Sequence, residues 1–255
     1  ISKEKFEELC NIKQPLLFKN QNSNIDMELK TIDYNFLINN YSNFDIKIYN
    51  KTDDIGLPIN LLDGIELFKK DISNIYISEH NNDFLDETTI YKTIKDNDIF
   101  FRPYNVTNID YDILMGSINS YTSLKYSFNY RNILYITSGS IEVTLCPPNN
   151  KKYLHCNIIN DNLECSSQID IYNVEEKFKK DFSKVKLLRV ILNVGNFLHI
   201  PPYWFYSIKF LENNTLALLL KYRTFMNSLS ISPELFKKLL QDNNIKRNFL
   251  KLVDI

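Results

Sequence analysis

Glycine, alanine and histidine are scarce in this chain. It carries five glycines, one alanine (Ala217) and three histidines in 255 residues. So few glycines leave no phosphate-cradling loop, and neither GxxxxGK nor GxGxxG occurs. HExxH and GxSxG are absent too, which removes the zincin and nucleophile-elbow chemistries. The four cysteines, Cys10, Cys146, Cys156 and Cys165, show no CxxC spacing, so the usual zinc frameworks are excluded. Cys156 and Cys165 can face each other across a hairpin, but free buried thiols in a reducing compartment are the expected state. Excess charge of either sign is missing, with 30 basic against 31 acidic residues and a formal net charge of −1. That balance makes no case for nucleic acid or an anionic membrane surface. No run approaches the ~18 apolar residues of a membrane span, and no secretory signal pattern opens the chain. The expected location is the cytoplasm, or a virion if the source is viral.

Asparagine, isoleucine and lysine are abundant instead. Residues with AT-rich codons are favoured, the composition of a large DNA virus, an apicomplexan or a similarly AT-rich eukaryote. Asn-rich pieces such as "KNQNSN" and "HNNDF" therefore read as surface loops. Asp53-Asp54 and Glu175-Glu176 read as solvated faces, since no second catalytic group is placed beside them.

The first hundred residues alternate short helices and strands. Ser2 caps a helix in "ISKEKFEELC", Pro15 leads the strand "PLLFKN", and Asp33 caps "TIDYNFLINNY". "DIKIYN" and "NIYISEH" read as strands around the helical "LDGIELFKKDI". From about Tyr111 the texture changes to short β-prone runs bounded by Gly139, Pro147-Pro148, Gly195, Pro201-Pro202 and Asn213-Asn214, the pattern of a sandwich or barrel. One helix interrupts them: "VEEKFKKDF" places Val174, Phe178 and Phe182 at i, i+4, i+8. The tail, from Ser232-Pro233-Glu234, is helical, with Leu235, Leu239 and Leu240 as an apolar stripe that packs on the domain or forms a dimer seam.

Three pieces together resemble the cupin-like, Jumonji C (JmjC) type hydroxylases, the Fe(II)/2-oxoglutarate oxygenases. "ISKEKFEELCNIKQPLLFKN" is similar to their N-terminal helix and proline-led strand. "TSLKYSFNYRNILYITSGSIEVTLCPP" resembles the strand that carries the first two metal ligands, followed by Asn132, a glycine turn at Gly139 and a Pro-Pro stop. "VGNFLHIPPYWFYSI" resembles the motif delivering the last ligand. Gly116, Gly139 and Gly195 fall where that pattern has tight turns. The resemblance implies a double-stranded β-helix (jelly-roll) barrel: a mainly β fold with peripheral helices. It implies one domain over 1–255, with N-terminal α/β elements (1–110), a barrel core (111–224) and C-terminal helices (225–255).

The chemistry departs from that family. Its His-x-Asp falls on Lys125-Tyr126-Ser127 or, one residue on, on Tyr126-Ser127-Phe128. Its final histidine falls on Tyr206, and its co-substrate lysine near Ser140 or Ile141. Ferrous iron in such a site needs two histidines and a carboxylate. An inward Lys125 would repel a divalent cation and pair with a carboxylate or an anion instead. His199 and Ile200 take opposite faces of a strand. His80 and Glu79, as strand neighbours, also point opposite ways, and His155 lies exposed in a hairpin. The implied protein is a catalytically inactive relative with a binding or structural role, without catalytic residues, metal or cofactor. Its pocket candidates are Tyr126, Tyr135, Tyr203, Trp204 and Tyr206, which either line a mouth or fill the vacated core. A protein partner or small ligand would occupy that pocket, and two copies could pair through the C-terminal helices. Two other readings stand beside it. One is an active Fe(II)/2-oxoglutarate protein hydroxylase with unusual ligands. The other is a nucleic-acid-associated module built on "KYRTF" and "IKRNFLK".

Overall fold

A computed structural model describes residues 1–19, 29–50, 53–159 and 162–253, with side chains undescribed at 53–55, 242 and 244–253. Most of "KNQNSN" lies outside these residues, as do the side chains of "IKRNFLK". The described strands are β1 (Leu16–Phe18), β2 (Asp45–Asn50), β3 (Asp53–Asn60), β4 (Tyr76–Ser78), β5 (Val106–Gly116), β6 (Lys125–Ser127) and β7 (Arg131–Ser138). They continue with β8 (Ser140–Cys146), β9 (Cys156–Ile159), β10 (Glu164–Ser167), β11 (Leu188–Asn193), β12 (Phe197–Ile200), β13 (Phe205–Phe210) and β14 (Leu216–Thr224). They form two antiparallel sheets, in the orders β1-β12-β7-β14-β5-β4-β2-β3 and β11-β8-β13-β6-β10-β9. The fold is mainly β, and the sheets stack as in a jelly roll without closing into a barrel. Residue 110 lies inside β5, so the early strands β2–β4 and the later ones share one sheet.

Alternation along the strands sorts the side chains into three cores. Leu134 and Ile136 of β7, Leu198 and Ile200 of β12, and Ala217 and Leu219 of β14 face Ile141, Val143, Tyr206, Ile208 and Phe210 across the gap between the sheets. The alternate residues of the large sheet, among them Tyr111, Ile133, Tyr135, Leu218 and Tyr222, face outward under the N-terminal helices. Tyr126, Phe128, Cys165 and Phe205 do the same on the small sheet, beneath Leu154, Ile231 and Leu235.

Local signals placed the helices that carry the first outer layer. Ser2 caps helix Lys3–Cys10, accepting from the Lys5 amide, and Asp33 caps Tyr34–Tyr41, accepting from the Phe36 amide. The expected helix in "VEEKFKKDF" shrinks to a 3₁₀ turn at Glu176–Phe178 and a single turn at Lys179–Phe182. So short a segment cannot sustain a helix on its own hydrogen bonds. Gly139 and Gly195 do sit at positive φ in turns. Gly116 does not. It ends β5, where an added Cβ would lie 2.7 Å from the Phe210 ring, so its role is close approach between the sheets.

Buried charge ties the outer helical layer to the sheet. Arg131, fully buried at the start of β7, donates from both terminal guanidinium nitrogens to Glu7 (2.8 and 2.7 Å) and from Nη1 also to the Phe101 carbonyl (2.9 Å). Burial works against the Glu7 carboxylate, but Arg131 and Lys3 more than offset it and hold its pKa below the ordinary range. Asp98, also buried, accepts from Tyr111 (2.6 Å) and Tyr222 (2.7 Å), which clamps the loop before β5 onto β5 and β14. Removing one partner of such a pair strands the other charge away from water. Glu7→Gln is expected to lower stability by about 3–5 kcal/mol, read from the urea midpoint at constant m-value.

Candidate functional site

The Pro201-Pro202 turn decides what the last motif strand presents. Tyr203 takes φ +63° and the Trp204 amide reaches the Pro201 carbonyl at 3.4 Å, a type II-like reversal with proline at its second position. Before it, Leu198 and Ile200 face the inter-sheet core and His199 faces the other way. After it, Phe205 faces out and Tyr206 faces in. Tyr206 lies directly across from Lys125 in the β6–β13 pairing, and Glu164 directly across from Ser127 in β6–β10. Lys125, Ser127, Glu164 and Tyr206 therefore share the inner face. Tyr126 and Phe128 point outward, into the cluster with Cys165 and Phe205.

Lys125 is buried, and its ammonium is held on three sides. Nζ donates to Glu79 Oε2 at 2.7 Å, stands 3.0 Å from Glu164 Oε2 and lies 3.3 Å from His80 Nε2. Burial opposes the charged form, but the Glu164 and Glu79 carboxylates outweigh it, so the Lys125 pKa stands well above the ordinary lysine range. Beside this cluster Lys221, also buried, pairs with Asp110 at 3.1 Å. Tyr206 Oη, 1% exposed and facing the charges of Glu164, Lys125 and Lys221, has no hydrogen-bond partner. Ser127 Oγ donates to Asn132 Oδ1 at 2.8 Å.

Glu79 and His80 were not expected here. Strand alternation set them on opposite faces, but β4 ends at Ser78 and His80 adopts φ +61°, so both side chains turn to Lys125. Asp112 of β5 enforces that bend, accepting the His80 amide (2.8 Å) and the Asn81 amide (2.9 Å). Two donors approach His80 Nε2, Lys125 Nζ and Asn162 Nδ2, each at 3.3 Å. Nε2 is therefore the bare acceptor nitrogen and Nδ1 carries the proton. Burial first, then the Lys125 charge, lowers the His80 pKa to about 3.

The five aromatic pocket candidates do not share a wall. Tyr206 lies between the sheets. Tyr135 lies under the N-terminal helices on the far side of the large sheet. Trp204 packs at the edge of the inter-sheet core and donates to the Lys13 carbonyl at 3.3 Å. Tyr126 and Tyr203 do converge, but on the outer face of the small sheet. There, with Phe205, Lys151 and Glu234, they line a cleft of about 340 Å³, and Lys151 Nζ donates to Tyr126 Oη at 2.8 Å. The two other histidines stay apart from Lys125. His199 is buried beneath β1 with its pKa lowered to about 3 by burial and by Arg131, and His155 pairs with Asp181 at 3.0 Å. Ser140 bonds Glu212 and Ile141 is core, so neither offers a cation to a ligand. In "KYRTF", Lys221 points into the molecule, against Asp110. Cys10, Cys146, Cys156 and Cys165 are free. Among the described residues no three His, Cys, Asp or Glu side chains form a group able to hold a metal ion.

The buried titrating groups oppose one another in acid. His80 and His199 stay neutral in the fold down to about pH 3, so the unfolded chain takes up their protons first and stability falls as pH drops through about 6.5. Burial raises Asp112 to about 6, so the folded state holds its proton and gains stability as pH falls from about 6 toward 4. Asp112→Asn removes that compensation. Urea melts between pH 6 and 4.5 are expected to show a steeper acid loss than the natural chain, by up to about 1.4 kcal/mol per pH unit.

The model of the cupin-like domain matches residues 65–228 of the chain. No curated protein matches it. Over more than half its length, and with two facing antiparallel sheets to match, the chain belongs to the cupin-like domain family.

Proposed function

We propose that this is a catalytically inactive member of the JmjC-type branch of that family. Its double-stranded β-helix holds no iron or 2-oxoglutarate, and it acts by binding or as a structural component. The carrying observation is Lys125. It occupies the position of the first metal ligand, and its ammonium takes up the nearest carboxylates, Glu79 and Glu164. Tyr206, at the last ligand position, offers a buried phenol with its pKa pushed above the ordinary range. A cation, a hydroxyl (Ser127) and a neutral phenol are a poor donor set for a ferrous ion, and a divalent cation beside Nζ would meet a like charge in a poorly screened site. The residues at these positions do not fit the iron.

Binding then falls to the outside. The interior near Lys125 is filled by buried side chains, whereas the aromatic cleft of Tyr126, Tyr203 and Phe205 is open and carries one charge of each sign, Lys151 and Glu234. Rings with polar tips of this kind suit a protein side chain or a small ligand. We read such a protein as cytoplasmic, or as part of the virus particle if its source is viral. No helix among the described residues is long and apolar enough to cross a membrane.

Thermal shift of the purified chain with Fe(II), Mn(II) and 2-oxoglutarate tests this. A flat response is expected. A true cofactor at 100 times its Kd would add about 2.7 kcal/mol, and that shift, with succinate formed from 2-oxoglutarate, would overturn the proposal. Phe225, Met226, Leu229, Phe236, Leu239 and Leu240 are exposed on the C-terminal helices Phe225–Ser230 and Ser232–Val253, and exposed apolar side chains gathered on neighbouring elements suit an association surface. A homodimer through them is part of the same proposal. Light scattering at tens of micromolar should give twice the chain mass, falling to one chain in Leu239→Glu.

A further inference from the structure

We infer that Cys156 and Cys165 form a thiol pair that hydrogen peroxide oxidises to a disulfide beside the aromatic cleft, with Cys165 the attacking sulfur and Cys156 the resolving one. The pair lies on the outer face of the small sheet, so this modification site is independent of what the space between the sheets holds.

Strand register brings the two sulfurs together. In the β9–β10 pairing Cys165 lies opposite Ile158 and Cys156 opposite Ser167. Residues two apart on a strand share a face, so Cys156 and Cys165 are diagonal neighbours on one side of the hairpin. Both pack with Tyr126, Phe128 and Phe205, Cys165 buried and Cys156 partly exposed. Across β6–β10 Cys165 lies directly opposite Tyr126. A chain of polar contacts results. Lys151 Nζ, from the 3₁₀ turn Pro148–Tyr153, donates to Tyr126 Oη at 2.8 Å. Tyr126 Oη and Cys156 Sγ both donate to Cys165 Sγ. Cys156, Tyr126 and Lys151 are the titrating groups that face Cys165 among the described residues.

Each of these contacts favours the Cys165 thiolate. The hydrogen bond from Cys156, then that from Tyr126 and the Lys151 charge, outweigh burial and hold its pKa below the ordinary thiol range. The same hydrogen bond and burial keep the donor Cys156 a neutral thiol. Burial alone dominates at Cys10 and Cys146 and raises both. A thiolate near a cation is the nucleophilic form of cysteine. Attack by Cys165 on hydrogen peroxide forms an S–O bond and breaks the O–O bond, and the departing hydroxide takes a proton from solvent to leave as water. Cys156 Sγ then attacks Cys165 Sγ. The S–S bond forms, the S–O bond breaks, and the hydroxyl leaves as a second water with the Cys156 proton. The two sulfurs give up two electrons, and the peroxide is reduced to two waters. Diagonal partners stand about 7–8 Å apart at Cα, beyond the roughly 4.4–6.8 Å a disulfide spans, so closure draws β9 inward. β9 is four residues long and lies at the edge of its sheet, held by β10 alone. Closure also takes away the sulfur to which Tyr126 donates, so oxidation alters the polar wall of the cleft.

The experiment treats the reduced full chain with hydrogen peroxide at neutral pH and maps its peptides without reductant. The expected product is a single Cys156–Cys165 cross-link, with Cys10 and Cys146 still thiols. In Cys156→Ser the reaction should stop at the sulfenic acid of Cys165, trapped by dimedone. In Cys165→Ser the remaining thiols should survive the same treatment. Even consumption of all the cysteines, a cross-link through Cys10 or Cys146, or a sulfenic acid confined to Cys156 overturns the inference. So does an unchanged thiol content in the folded chain when the same chain in urea loses its thiols to the same peroxide. The peptide map of the natural chain decides the matter by itself if either variant fails to fold.

Discussion

A buried ammonium is tolerable only with its counter-charges in place, and the ammonium of Lys125 and its two carboxylates come from three parts of the chain. Glu79 comes from the end of β4, Glu164 from β10, and the lysine itself from β6. Desolvating any one of the three without the others would cost several kcal/mol. The polar end of the inter-sheet space is therefore specified as a unit. The hydrophobic end, around Ile141, Val143, Ile208 and Phe210, needs no such specification, because apolar contacts are non-directional. One end of the jelly roll fixes which strands meet, and the other supplies most of the driving force.

The sequence was legible where information is local. Ser2 and Asp33 announced their helices through a single side chain each, and Gly139, Gly195 and the Pro-Pro pairs marked reversals. Whether Lys125 or Tyr126 turns inward stayed open in the sequence, because the two registers of the motif differ by a single residue. What could not be read depended on contacts distant in sequence. Glu164 meets Lys125 through the β6–β10 pairing, and nothing near "NLECSS" signals it. Glu79 and His80 were misplaced because alternation was carried two residues past the end of β4, into a bend whose cause, Asp112, lies more than thirty residues on. The aromatic candidates scattered for a related reason. In a chain with 16 tyrosines and 17 phenylalanines, a run such as "PYWFY" carries rings on both faces of its strand, and only one face meets any given site.

The outer layers divide their labour in the same physical terms. Over the large sheet the N-terminal helices are anchored by charge, through Arg131 with Glu7 and through Asp98 with two tyrosines. Over the small sheet the cover is apolar and partial, and a cleft stays open between Tyr126, Tyr203 and the start of the last helix. The large sheet thus carries an ion-paired cover, and the small sheet an apolar one with an aromatic cleft at its edge.

The only tryptophan sits where these parts join. Trp204 follows the Pro-Pro reversal, borders the inter-sheet core and hands its indole proton to the backbone at Lys13, 191 residues earlier. The chain thus carries a built-in optical gauge: light emitted by this one indole senses whether the segment leading into β1 is seated, without any added label.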